Sequence, residues 1–252
     1  MDLLDETMLE PGPEGFRGEN LDAQLAAGFH RNLHCMYQTH RHYFGMDRWL
    51  LMSTPVIKIR YELGRYTDTG TSLKILKRGR RFELSFEPAV IDEETEGLYD
   101  RYLETVKFEA APSCWEYLHD EGLPDPFDTE RVVLRDKGRL IAAGYYDRGR
   151  ESMMGVLNFY DPEYGGYSPG KLLFLLMIHH AIEGGFRYFY PGSLLVDDVK
   201  LDYKLFAGKE SITTFLPVEK EWRAYTEWNK FRMNRYFSSH LDRYFDSLRN
   251  RD

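Results

Sequence analysis

Residues 172–178 read Leu-Leu-Phe-Leu-Leu-Met-Ile, the longest unbroken apolar run in the chain. The run follows Ser168-Pro169-Gly170-Lys171 and is closed by Gly184-Gly185. Serine before a first-turn proline and a terminal glycine are helix start and stop signals, so a helix is predicted here with Ser168 as its cap. A helix apolar on nearly every face has no side to offer water and must be buried. The run is far short of the roughly 20 residues that span a bilayer, so the burial is inside a protein core. Strand patterns flank it. Residues 130–136 and 138–146 read as a hairpin turning at Asp136-Lys137-Gly138, residues 153–160 as a third strand, and residues 186–190 as a fourth that ends at Pro191-Gly192.

Upstream, residues 56–63 alternate Val56, Ile57, Ile59 and Tyr61 with Lys58, Arg60 and Glu62, the period of a half-buried strand. Residues 81–87 form another, stopped by Pro88. Residues 92–107 carry Leu98, Tyr99, Tyr102, Leu103 and Val106 at helical spacing with Asp92 at the N-cap. Shorter helices are expected over 21–29, ending at Gly28, and over 114–119. The order strand, strand, strand, helix, strand is that of an acyltransferase core of the GNAT type. The expected fold is α/β, with a mixed, mainly antiparallel sheet flanked by helices and a splayed central strand pair that opens onto an acyl donor. An N-terminal α+β portion precedes it. The chain then divides into a flexible acidic leader (1–20), an N-terminal portion (21–88), a GNAT-like catalytic domain (89–218) and a helical tail (219–252) in which Trp222, Tyr225, Trp228 and Phe231 recur about three apart.

Composition excludes several classes. With 42 % hydrophobic residues, 29 % charged and only two cysteines in 252, the chain is neither disordered throughout nor a disulfide scaffold. Its first residues lack the basic start of a signal peptide, and a cytoplasmic location without membrane attachment is expected. The net charge of -8 is uneven: Asp2, Asp5, Glu6, Glu10, Glu14, Glu19 and Asp22 crowd the first 24 residues against Arg17 alone. By contrast Lys74, Lys77, Arg78, Arg80 and Arg81 fall within eight residues, a basic face suited to phosphates or carboxylates.

The chemistry-bearing groups each have a plain structural alternative. Exposed N–H groups at Gly170 and Lys171 behind Ser168 suit a phosphate, or simply begin a core helix. Lys200, Tyr203 and Lys204 suit the phosphates and a stacked base of a single-stranded end, or form a solvated face. His30, His34, Cys35, His40 and His42 lie within thirteen residues, but their spacing matches no standard metal site and neighbouring Tyr37, Tyr43, Phe44 and Trp49 fit packing. No metal or other cofactor is assigned.

The segments Phe159-Tyr160-Asp161-Pro162, Ser168-Pro-Gly170-Lys171, Tyr188-Phe-Tyr190-Pro-Gly192 and Lys200-Leu-Asp-Tyr203-Lys204 fall in one order that resembles the aminoacyl-tRNA-protein transferases. Residues 25–29 and the basic run ending Arg80-Arg81 extend the likeness upstream. The resemblance implies transfer of arginine or leucine from aminoacyl-tRNA to the N-terminal amine of proteins that begin with an acidic residue, as in an N-degron pathway. It implies donor and tRNA contacts at Ser168, Gly170, Lys171, Tyr190, Gly192, Lys200, Tyr203 and Lys204. Arg78, Arg80 and Arg81 would hold the tRNA backbone or the acidic acceptor. Asp161, at the end of a central strand, is the candidate base, with Tyr160 as proton relay and backbone N–H groups of residues 153–160 for the oxyanion; Asp161-Pro162 is otherwise a turn starter. The chain departs from the family in lacking its N-terminal cysteine cluster, and it carries Asp198 and Leu201 where cysteine and methionine are usual. An arginyl donor needs a buried carboxylate in its pocket and a leucyl donor an apolar one. Two alternatives remain open: an acetyl-CoA-dependent N-acetyltransferase, although Gly165-Gly-Tyr-Ser168-Pro-Gly170 departs from the usual pyrophosphate loop, and a non-catalytic adaptor that binds tRNA or N-termini.

Overall fold

The computed structural model describes residues 6–47, 50–106, 110–120 and 122–249. Asp2, Asp5 and Trp49 lie outside this set. In chain order the elements are β1 (Thr7–Leu9), α1 (Gly18–Ala26), β2 (His30–Asn32), β3 (Cys35–Gln38), β4 (Arg41–Asp47), β5 (Leu50–Glu62), α2 (Gly70–Gly79) and β6 (Glu83–Pro88). They continue as α3 (Glu93–Leu103), α4 (Cys114–Leu118), β7 (Thr129–Asp136), β8 (Arg139–Arg148), β9 (Ser152–Tyr160), α5 (Pro169–Glu183), β10 (Tyr188–Leu195), β11 (Ile212–Leu216), β12 (Glu221–Ala224) and α6 (Lys230–Arg249).

One large sheet runs β12-β11-β5-β10-β9-β8-β7-β6, with β4 also paired to β5, and a small sheet runs β1-β3-β2. All pairings of the large sheet are antiparallel except β9 with β10, which is parallel because α5 carries the chain across the sheet between them. The β7–β8 hairpin turns as its sequence predicts: Lys137 and Gly138 both take positive φ, 51° and 82°, as a two-residue type I′ turn requires. On one face α5 buries Leu172, Leu173, Phe174, Leu175, Met177, Ile178 and Ala181 against Val132, Tyr146, Met153 and Phe189. On the other, α3 and α4 pack Leu98, Tyr99, Cys114 and Leu118 onto Val133, Tyr145 and Phe159. Asp92 caps α3, its side chain accepting from the Thr95 N–H at 2.9 Å. Among the described residues no helix is long and apolar enough to cross a membrane.

Five local expectations are corrected. Of the leader, Thr7–Leu9 pairs with β3 and Phe16 is buried against Phe127, so this stretch is tied to the body of the protein. Ser168 heads α5 but sits in the left-handed region at φ 57° and makes no capping bond with its side chain. The strand after α5 does not stop at Pro191-Gly192. It passes through them with a register shift between Phe189 and Gly192, because Pro191 cannot donate to the β5 ladder. Trp222 belongs to β12 and not to a tail helix, where its ring packs on Phe215 and Tyr190. Lys58 and Arg60 do not face water, because β5 is a central strand: Lys58 is 5 % exposed, and Arg60 lies over the Tyr188 and Trp222 rings. The basic run, unassigned in the sequence, is the helix α2, held to α5 where Gly79 leaves room for Leu172. Strands β5 and β6 belong to the same sheet as β7 to β11, so the sheet continues across residue 88.

Candidate active site

Strands β9 and β10 pair only through Ser152–Met154 against Tyr188–Tyr190 and then diverge. The divergence has a visible cause on each side. Pro191 breaks the β10 ladder. On β9 the register against β8 jumps from Tyr145↔Leu157 to Tyr146↔Gly155, which leaves Val156 as a bulge. The sheet thereby opens in its middle, and two adjoining cavities occupy the opening.

The larger cavity, about 760 Å³, is bordered by His30, Asn32, Glu116, Ser193 and Lys204 among others, and is the more polar. The smaller, about 250 Å³, is bounded by Tyr99, Tyr102, Leu157, Phe174, Phe189 and Tyr203, with no carboxylate among its lining residues. The two share Ala110, Tyr117, Gly155, Val156, Pro191, Leu201 and Lys204. Asn158 lines the smaller cavity, and its side-chain oxygen is buried beside Gly144 and Met177 without a hydrogen-bond partner.

Lys204 stands where the cavities meet. Its Nζ donates to the Ser193 carbonyl at 3.1 Å, and burial pushes the amine down to about 8. Gly192 makes this position possible: at φ 94° it adopts a backbone that side chains avoid, and a Cβ there would lie 3.3 Å from the Lys204 Nζ. Behind the cavity wall Lys58 is pushed down to about 7 by burial and then by the nearby Lys204 cation. Its Nζ lies 2.7 Å from His30 Nδ1. Burial, followed by the Lys58 and Lys204 charges, holds His30 well below the ordinary histidine range, so the imidazole is the neutral partner of the pair.

Of the residues singled out in the sequence, Gly192, Tyr203 and Lys204 line this opening. Tyr190 is buried beside it, its hydroxyl accepting from Arg60 Nη1 at 3.2 Å. A second group gathers at the start of α5. Arg81 donates to the Tyr167 hydroxyl at 2.6 Å, which sets the end of α2, with exposed Arg78 and Arg80, beside Ser168, Gly170 and Lys171. Tyr160 packs its ring toward Gly170. Lys200 lines neither cavity; its backbone N–H donates to Asp198 at 2.8 Å.

Asp161 is placed differently from the expectation. Its side chain is 1 % exposed and borders neither cavity. Arg101 Nε and Arg139 Nη2 hold one carboxylate oxygen at 3.1 and 2.5 Å, and the Glu163 N–H donates to the other. Burial pushes the carboxyl up, but these donors outweigh it and hold it below the ordinary carboxylate range. A carboxylate so fully engaged is a poor base and a good turn anchor. The sequence reading missed His30, Lys58 and Asn158 as a group. His30 was legible only as one of several histidines, and among the described residues no three His, Cys, Asp or Glu side chains come together in a way that would hold a metal ion.

A sheet whose parallel central pair is split by a bulge, with a buried helix bridging the two strands, is an acyltransferase core of the GNAT type. A family model described as the C terminus of arginine-tRNA-protein transferase matches residues 94–212. An aspartate/glutamate leucyltransferase of Leptospira interrogans is 24 % identical over 224 residues, covering 87 % of this chain and 84 % of the relative. One from Helicobacter hepaticus is 28 % identical over 158 residues, or 60 % of this chain and 65 % of the relative. Among solved structures, L-PGS from Bacillus licheniformis aligns over 61 % of this chain and 47 % of its own at 14 % identity, with a TM-score of 0.42. Over most of its length the chain is thus similar to aminoacyl-tRNA-protein transferases.

Proposed function

We propose that this protein moves leucine from leucyl-tRNA to the N-terminal amine of proteins that begin with aspartate or glutamate, in the cytoplasm and within an N-degron pathway. The observation that carries the choice of donor is the smaller cavity. Aromatic and aliphatic side chains bound it, and no carboxylate among its lining residues is there to receive a guanidinium. An arginyl side chain would enter it as an unpaired buried cation, at a cost of several kcal/mol by the usual order of desolvation penalties. A leucyl side chain would gain about 1.5–3 kcal/mol from the same burial. The acceptor enters from the larger cavity, whose wall carries Lys204 and Arg31 against the single carboxylate of Glu116; this lining favours an acidic first residue. The names of the two curated relatives agree with donor and acceptor alike.

The reaction is aminolysis of a reactive ester, so alignment supplies much of the acceleration, up to roughly 7–11 kcal/mol for ideal geometry. Backbone N–H groups at the Val156 bulge would serve as the oxyanion donors. Tyr203 at the mouth offers a ring for the terminal base, and Arg78, Arg80, Arg81 and Lys171 beside the start of α5 offer cations for the tRNA backbone. Peptides that begin with Asp, Glu or Ala, incubated with the protein and total charged tRNA, test the reading by mass spectrometry. Addition of leucine to the acidic peptides alone is expected. Addition of arginine would overturn the donor assignment, and acetylation in a parallel arm with acetyl-CoA would overturn the transferase reading.

A further inference from the structure

We propose that Lys204 is the catalytic base of aminoacyl transfer. The inference rests on the transfer reaction proposed above. Its first support is place. Lys204 is the one lysine among the residues common to both cavities, and the ester carbonyl of a donor in the smaller meets the amine of an acceptor in the larger there. Its second support is that no carboxylate among the described residues pairs with it: its hydrogen bond goes to the Ser193 carbonyl, which anchors an amine in either protonation state. Its third is the arrangement behind it. Lys58, on a central strand with an imidazole as its near neighbour, is itself pushed down by burial and by the Lys204 charge, so among the described residues no anion on that side steadies a proton on Lys204.

The titratable groups facing Lys204 leave this crowding of charge without an offset among the described residues. From β2 comes His30, uncharged; from β5, Lys58; from α3 and α4, Tyr102 and Tyr117, both held protonated by burial. Glu116 of α4 is exposed on the outer wall of the larger cavity and forms no ion pair with Lys204. Tyr203, on the same segment as Lys204, is pushed up to about 12 by burial.

The step balances simply. The acceptor's α-ammonium gives one proton to the neutral Lys204 amine, and the freed lone pair attacks the aminoacyl carbonyl to form the C–N bond. The bond from that carbon to the ribose oxygen breaks, and the second proton on nitrogen passes to the departing oxygen. The third remains on the new amide, and Lys204 returns its proton to solvent.

Arginine keeps a cation at this position but does not deprotonate at working pH, so Lys204→Arg separates a base from an anchor for phosphate or oxyanion. With leucyl-tRNA and an acidic peptide, kcat is expected to fall on the order of 100-fold while KM for leucyl-tRNA stays within about threefold. Retention of activity within about threefold would overturn the assignment. The second measurement is the kcat-pH profile of the wild type beside that of Lys204→Arg. An acidic limb near pH 8 is expected in the wild type and not in the variant, and a limb that persists unchanged in Lys204→Arg would overturn the assignment. Should the wild-type protein fail to transfer leucine at all, the fault lies with the proposed reaction and not with Lys204.

Discussion

Lys58 Nζ lies 2.7 Å from His30 Nδ1, so a lysine at the centre of the main sheet has an imidazole, and not a carboxylate, as its near partner. Folding therefore disfavours the protonated amine. Its value in the fold is about 7 against 10.5 for an ordinary lysine, and the unfolded chain binds the extra proton between these limits. Stability contributed by this group is thus lowest below about pH 7 and rises as pH climbs from there toward 10.5. The melting temperature of the wild type is expected to increase by several degrees from about pH 6.5 to about pH 9, and Lys58→Met is expected to flatten that rise. Equal slopes for the two proteins in differential scanning calorimetry would contradict the buried, carboxylate-free assignment.

Asp161→Asn separates anchoring from catalysis. The amide keeps the shape but loses the charge that Arg101 and Arg139 neutralise, and both guanidiniums are partly exposed, so the expected cost is modest, about 1–2 kcal/mol. Chemical denaturation should show that loss. The transfer rate per folded molecule should stay close to that of the wild type, since the residue borders neither cavity.

Gly192→Ala should act on Lys204. The new methyl would sit 3.3 Å from Nζ on a backbone with φ 94°, which costs about 1–2 kcal/mol in an L residue. Displacement of the amine is expected to lower kcat by roughly tenfold or more, with a much smaller change in KM for leucyl-tRNA. A crystal structure of the variant with Lys204 unmoved and activity intact would count against that placement.

Leu157→Asp puts a carboxylate into the wall of the smaller cavity. Leucine transfer is expected to fall by roughly tenfold or more in kcat/KM, while arginyl-tRNA is expected to gain relative to leucyl-tRNA. Competition between the two charged tRNAs in one reaction reads the ratio directly.

Much of the fold was legible because its signals are local. The hairpin at Lys137-Gly138, the cap at Asp92 and the all-apolar face of α5 each follow from a few adjacent residues. The misplacements share another origin. Lys58 and Arg60 alternate with apolar neighbours as they would on a solvated strand, and only the arrival of β11 and β10 on either side, with Tyr188 and Trp222 over Arg60, puts them inside. Asp161 stands at the end of a central strand, where a base would be expected, but two arginines from distant segments claim it. Gly192, Tyr203 and Lys204, singled out by their order along the chain, line the cavities. The cavities were not, since they depend on a one-residue bulge at Val156 that leaves no trace in the pattern of side chains.

The brevity of the β9–β10 pairing, three residues on each strand, also bears on how such proteins diverge. Beyond Met154 and Tyr190 the inward N–H and C=O groups of both strands are released from each other, and a substrate can take their place as a hydrogen-bonding neighbour. These groups belong to the main chain. Apart from a proline, which removes an N–H as Pro191 does, no substitution removes them, so the polar framework of the opening can persist while the side chains around it change.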